Sequence, residues 1–278
     1  MLSLSFALVV IVVTAPLILA AMGGYTSERG GVINIALEGK MLAAACLTAI
    51  VSHQVNAPAG VLAGIAAAIV LSLVLWLMTQ HFFIDHVISG MAINALAAGG
   101  TNFLFGRYRQ SDEIPQLPLA FYTVTAFVLP FALWLYAGRT RGGLRLISVG
   151  SDPEKSRLMG IEPIFVRMGG LVATGVFTGL AGAMLVTDTG RFSDNMTAGR
   201  GYIALAALII GGWRPVPAFL ACLLFGAFTA LRIELVGSNV FGANLPSQFW
   251  SMLPYIVTII ALAGFLGRSR SPAGLGKH

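Results

Sequence analysis

The sequence predicts an all-α fold, a polytopic transmembrane bundle of about 8–10 helices with an inverted internal repeat and interrupted helices. Three observations lead there. Charged residues are only 10% of the 278 residues against 57% hydrophobic, with a mean hydropathy of +0.85, whereas soluble domains carry roughly 25% charged residues. Long intervals hold no Lys, Arg, Asp or Glu, namely 41–84, 86–106, 114–138 and 235–267. A spanning helix needs about 20 apolar residues, and unpaired backbone groups in lipid restrict spans to helices or closed barrels. These runs far exceed the roughly 10-residue alternating segments of a barrel. Finally, the basic residues cluster: Arg139, Arg141, Arg145, Lys155, Arg157 and Arg167 in one interval, and Arg268, Arg270 and Lys277 in the tail. Cytoplasmic loops concentrate such residues, so the net charge of +6 reads as a topology signal and not as a nucleic-acid surface.

Nine candidate spans follow in order. Leu2–Met22 lacks a basic leader region and is followed by further spans, so it reads as a retained helix. Val32–Ser52 opens on polar groups. Ala57–Met78, His86–Gly106 and Leu117–Ala137 carry no Lys, Arg, Asp or Glu. Ile164–Val186 carries Gly175, Gly179 and Ala183 at four-residue spacing, the pattern of close helix packing. Gly201–Trp213 is short for a crossing, and Val216–Leu231 and Ser247–Leu266 complete the set. Cys46 and Cys222 sit inside apolar runs and read as packing residues. With the 139–167 loop and the tail both cytoplasmic, an even number of crossings lies between them, which four spans satisfy. Counting back puts the 106–115 loop outside, and the N-terminus outside only if every earlier span crosses fully and none is missed.

The stretch "SERGGVINIALEGKM" interrupts this pattern with charges. Asn34 and Glu38 are four residues apart and share a helical face. Lys40 is rotated to the opposite side, where it is expected to snorkel toward a headgroup region. An ionisable group at membrane depth must face the bundle interior, a partner or water. Glu38 therefore either lines a polar pathway or is a buried carboxylate held by Arg29, Arg200 or backbone amides. Asn94 and Asn102 lie in an apolar helix, where amides bond across helices or touch solute. "TAGRGYIALAALIIGGWRP" echoes the first stretch faintly, with Arg200–Gly201 set against Arg29–Gly30. Interrupted segments in corresponding halves point to a midplane transport site. His81 and His86 are five apart, off one helical face, so no metal site is expected.

The cytoplasmic loop carries "SVGSDPEKSRLMGIEP". Asp152 fits a helix N-cap, Pro153 and Glu154 its first turn, and Gly160 its stop. A short capped helix presenting Leu158 and Met159 suits a docking element for a cytoplasmic partner. No phosphate-binding glycine loop, HExxH, CxxC or GxSxG occurs, so no catalytic residues are assigned and no nucleotide hydrolysis is expected.

Four stretches, "ERGGVINIALEGKMLAAA", "HVISGMAINALAAGG", "VGSDPEKSRLMGI" and "NMTAGRGYIALAALIIGGWRP", together resemble the permease subunits of bacterial ABC importers for simple sugars and nucleosides. This wider family includes ribose and branched-chain amino-acid permeases, and riboflavin permeases are close neighbours. The resemblance implies a multi-pass protein of the bacterial inner membrane, in contact with membrane lipids. It also implies a second permease subunit, cytoplasmic ABC ATPases that bind ATP and Mg, and an extracytoplasmic substrate-binding lipoprotein. No cofactor is implied in this chain. The coupling segment would comprise Gly150, Asp152, Pro153, Glu154, Leu158, Gly160 and Ile161, and the substrate pathway Asn34, Glu38, Asn94, Arg200 and Tyr202. The chain then divides into a first repeat at about 1–138, a coupling loop at about 139–163, a second repeat at about 164–267 and a tail at 268–278. The expected function is import of a nucleoside or simple-sugar-like solute by alternating access. Riboflavin import and ion-coupled secondary transport are the alternatives.

Overall fold

The computed structural model describes residues 4–108, 114–235 and 271–277, with 252, 256 and 259. Ten α-helices and one π turn occur among the described residues, with no strand. They are α1 (Leu4–Glu28), α2 (Leu37–Gln54), α3 (Ala57–Trp76) with a π turn at Leu77–His81, α4 (His86–Arg107), α5 (Leu119–Arg139), α6 (Arg141–Ser151), α7 (Pro153–Leu158), α8 (Pro163–Thr189), α9 (Arg200–Ile210) and α10 (Pro215–Leu235). Six stretches are long and apolar enough to cross a membrane: Ser5–Glu28, Ala57–His81, His86–Arg107, Leu119–Arg139, Pro163–Thr189 and Pro215–Leu235. Of the other three spans expected from sequence, α2 starts late and is more polar, and α9 has only 11 residues. Ser247–Leu266 lies outside the described residues.

α1 runs past the expected Met22 to Glu28 because packing overrides its two glycines. A Cβ at Gly23 would stand 3.2 Å from Thr178, and one at Gly24 3.1 Å from Leu37. The helix ends in a Schellman turn, with Gly31 N–H donating to Glu28 O at 3.0 Å and Val32 N–H to Ser27 O at 3.1 Å. Gly31 takes φ +99°, a conformation L side chains rarely adopt. Arg29–Gly30 thus closes a helix, while Arg200–Gly201 opens one, so the two Arg-Gly pairs hold different places in the chain path.

α1 and α8 form the buried axis, with α2, α3, α9 and α10 packed against them. The small-residue stripe of α8 meets α3: a Cβ on Gly175 would lie 2.6 Å from Ile69 Cα, and one on Gly179 2.6 Å from Ile65 Cα. Cys46 and Cys222 are buried thiols in the core, as expected of packing residues.

Contacts fix the ends of the bundle. At one end the Arg167 guanidinium of α8 donates to Gly30 O (3.3 Å) and to Gln80 in the π turn (2.6 Å), and Ile33 N–H donates to His86 Nδ1 (3.1 Å). The tail joins there, with Gly274 N–H on Gly150 O and Gly276 N–H on Gly31 O, both at 2.9 Å. At the other end Ile114 N–H reaches Gly190 O at 3.4 Å and Phe105 stacks edge-on against Phe192. The tail and the 139–163 loop therefore share a side, and α1 enters from the opposite one.

Arg141–Ser151, which reads as loop in the sequence, is an 11-residue helix. Its glycines permit close approach instead of a turn. A Cβ on Gly143 would collide with Tyr136 O, and one on Gly150 with Arg29 O. Leu146 and Val149 bury the same face, and Thr140 caps the helix by accepting from Gly143 N–H at 3.1 Å.

Candidate functional site

The break after α1 and the break before α9 meet inside the bundle. Glu38, in the first turn of α2, accepts from Gly199 N–H at 2.7 Å and Gly201 N–H at 2.6 Å. These are unpaired amides at the start of α9, and a carboxylate there satisfies both and faces the positive helix end. A Cβ on Gly201 would lie 2.5 Å from Glu38 N, so the contact needs glycine. Of the two roles open to Glu38 in sequence, its bonds are those of a carboxylate held by backbone amides.

Asn94 of α4 joins the same place. Its Oδ1 accepts from Gly39 N–H at 2.8 Å, and its Nδ2 donates to Ile35 O at 3.0 Å and Tyr202 Oη at 2.9 Å. Tyr202 remains 47% exposed beside the two helix breaks. Asn102, the other amide of α4, is exposed.

Asn34 does not share a helical face with Glu38 as expected, because α2 begins only at Leu37 and Asn34 lies in the non-helical stretch before it, where it is fully buried. Its backbone N–H donates to Glu28 Oε1 (3.2 Å), its Nδ2 to Ser27 Oγ (3.0 Å), and its Oδ1 accepts from Lys40 Nζ (3.1 Å). Lys40 does not snorkel. It is fully buried because α4, α8 and α9 pack around the opening of α2 and Asn34 offers it an acceptor. Glu28, also buried, accepts from Trp213 Nε1 at 2.6 Å, which joins the end of α1 to the turn after α9. Arg200 lies between the two glycines that Glu38 holds, but its side chain makes its hydrogen bond elsewhere. It donates to Met196 O at 2.7 Å and lines a separate cavity of about 80 Å³ with Val13, Leu17 and Arg232.

On the loop side, α7 has the boundaries its sequence signals. Asp152 Oδ1 accepts from Lys155 N–H at 3.0 Å, and Lys155 Nζ sits 3.0 Å from Asp152 Oδ2. The Lys155 amide and then its ammonium hold the Asp152 carboxyl below its ordinary value of 3.8. Pro153 and Glu154 form the first turn. Gly160, at φ +76°, donates to Arg157 O, and Ile161 N–H donates to Ser156 O, both at 3.0 Å, a second Schellman turn. Leu158 and Met159 are 88% and 76% exposed. Gly150 is instead buried against Arg29 O, and Ser148 bonds Ser156 at 2.8 Å, fastening α6 to α7.

Sequence reasoning missed Glu28, Trp213, Arg167 and the tail. Arg167 counted there as one of the loop's basic residues, yet it is only 2% exposed. Its place five residues inside a helix that starts at Pro163 is the signal that separates it from the loop.

Comparison with known proteins bears on what the two features do together. A guanosine ABC transporter permease of Bacillus subtilis, NupQ, is 36% identical, with 96% of this chain and 93% of that protein aligned. A nucleoside ABC transporter permease of Lactococcus lactis, NupC, is 33% identical over the same shares. A further guanosine ABC transporter permease of Bacillus subtilis, NupP, is 23% identical over 90% of this chain and 79% of its own length. The family described as the permease component of the branched-chain amino acid transport system matches residues 6–262, which take in both helix breaks and the capped α7. The chain therefore belongs to this family of multi-pass membrane permeases.

Proposed function

We propose that this chain is one membrane subunit of an ATP-binding-cassette importer that carries a nucleoside or simple-sugar-like solute inward. The observation that carries the reading is the end-to-end similarity to NupQ and NupC, whose names give guanosine and nucleosides as their solutes. Two Bacillus subtilis permeases of the same named solute, NupQ and NupP, support pairing with a second, different permease chain. In this reading ATPase subunits, which bind the ATP and Mg, seat the exposed Leu158–Met159 end of α7. A binding lipoprotein delivers solute from the other side.

The residue roles follow from the geometry. Tyr202 offers a half-open ring for a base or sugar face to stack on, and Asn94 fixes that ring through its hydroxyl. Glu38, Asn34 and Glu28 brace the two helix breaks behind them. Motion of α7 reaches these groups through packed contacts: Ser156 to Ser148, Gly150 against Arg29, then Glu28 to Trp213. Two arrangements of that path, with different affinities for solute, constitute alternating access.

The test is uptake of labelled guanosine into vesicles holding the assembled importer and its binding protein. Uptake should require ATP on the α7 side and survive collapse of the proton gradient. Tyr202→Ala should cut uptake about tenfold or more, loss of a stacking contact being worth roughly 1–3 kcal/mol per base. Tyr202→Phe should keep most of it. Uptake that follows the proton gradient without ATP would replace this reading with the ion-coupled one.

A further inference from the structure

Between α5 and α8, roofed by α6, lies a cleft of about 460 Å³. Its walls are apolar: Leu133 from α5, and Phe165, Ala173 and Phe177 from α8. From Phe165 to Phe177 the wall follows α8 for about 18 Å at the helical rise of 1.5 Å per residue. At the loop end the lining changes to Tyr136 and Arg145. Arg139, which ends α5, and Arg141, which opens α6, are exposed. No acidic residue occurs from Leu119 to Ser151, or from Ile164 to Thr187. The two ion pairs of the loop, Asp152–Lys155 and Arg157–Glu162, use other cations, so among the described residues Arg145 lines the cleft mouth, and Arg139 and Arg141 stand at the end of α5 and the start of α6, with no ion pair to a carboxylate.

One wall position is conspicuously open. A Cβ on Gly169 would meet nothing within 4 Å, although Gly169 lines the cleft, while one on Gly170 would stand 2.5 Å from Thr26 O. Adjacent glycines on one helix thus do opposite things. Gly170 lets α1 approach, and Gly169 leaves the cleft wide.

We propose that this cleft is a binding site for one anionic phospholipid of the leaflet on the α6–α7 side. The headgroup phosphate sits against Arg145 with Arg139 and Arg141 nearby, and an acyl chain lies along α8 between Phe165 and Phe177. The charge pattern selects this occupant. A neutral lipid would leave the arginines unmatched, and a soluble anion would leave the apolar wall unused. Basic pockets between spans on the cytoplasmic side take anionic headgroups for the same reason. The site is independent of the solute carried, so it stands or falls apart from the importer reading.

The experiment compares the full chain in detergent with added phosphatidylglycerol, phosphatidylcholine or inorganic phosphate. Native mass spectrometry reads the retained lipid, and the melting temperature reads its effect. Phosphatidylglycerol should be retained and should raise the melting temperature, and the other two should do neither. Gly169→Leu, which fills the cleft, and Arg145→Gln, a change at an exposed side chain, should each weaken retention about fivefold or more. Gly99→Leu on α4, which also points into open space but lies away from this cleft, should bind as the parent does. Equal retention of both lipids, unchanged retention in the Gly169 and Arg145 variants, or an equal effect from phosphate alone would overturn the proposal. Should Gly169→Leu fail to fold, the Arg145 variant decides the matter on its own.

Discussion

Glu38 holds two backbone amides of a helix more than 160 residues away in the chain. A carboxylate in that position behaves as a remote N-cap, and hydrogen bonds to charged groups contribute about 1.5–3 kcal/mol each. Glu38→Ala should therefore lower the melting temperature of the purified chain by several degrees as well as reduce uptake, and Glu38→Gln, which keeps one acceptor, should lose less. Reduced uptake with an unchanged melting temperature would make Glu38 a contact for solute instead of a brace. The polar residue types were readable from sequence, but the helical face expected to join Asn34 and Glu38 is absent because α2 starts after Asn34, and which amides Glu38 would accept from depends on the path of α9. Lys40 is the opposite lesson, since helical rotation alone put it at a headgroup region and packing put it in the core. Asp152, outside the membrane, has a lowered carboxyl pKa, so its cap is present above its ordinary value of 3.8 and is lost as pH falls through the lowered one. Co-purification of the ATPase should thus be constant between about pH 5 and 8, as far as this group decides it. A loss near pH 6 would assign the dependence elsewhere.

At the scale of elements, close packing along one face of α8 was legible from Gly175, Gly179 and Ala183, since small residues at four-residue spacing have few other uses in an apolar helix, but its partner was not. The structure supplies the partner surface, Ile65 and Ile69 of α3. Gly179→Leu would place a side chain where 2.6 Å separates the Cβ position from backbone. Overpacking usually costs about 1–3 kcal/mol, and a backbone obstacle raises that. The variant should show reduced expression and an early, broad elution in size-exclusion chromatography, and a parent-like profile would show that α3 can shift aside. The short helix α7 was legible for a different reason, because capping chemistry is local. α6 was not, because its glycines look like loop residues until Tyr136 and Arg29 are seen pressed against them. The ends of α1 and α9 followed the same logic, their extent being set by neighbours and not by composition.

For the whole molecule, the sequence carried the membrane class, most of the long spans and the loop side, since hydropathy and basic clusters act over tens of residues. It did not carry the tail, whose residues 271–277 have no pattern of their own yet lie against Gly150 and Gly31. Pro272 and Gly274 are buried there and Leu275 packs on the main core. These contacts tie the α6–α7 hairpin to the turn that ends α1. On the importer reading, removing residues 271–278 should leave the ATPase bound, because the exposed Leu158–Met159 end of α7 is untouched. The solute carried per ATP hydrolysed should fall several-fold, measured as the ratio of uptake to phosphate release. A full ratio in the truncated protein would show that the α6 contact with Arg29 suffices. The same tie has a bearing on biosynthesis. Chains are made and fold from the N-terminal end first, so the Gly31 carbonyl waits for its clasp until Gly276 has been made. A polypeptide cut short before Gly274 would have its spans in place but the turn after α1 and the Gly150 carbonyl unclasped, a fault that quality control by hydropathy would not see.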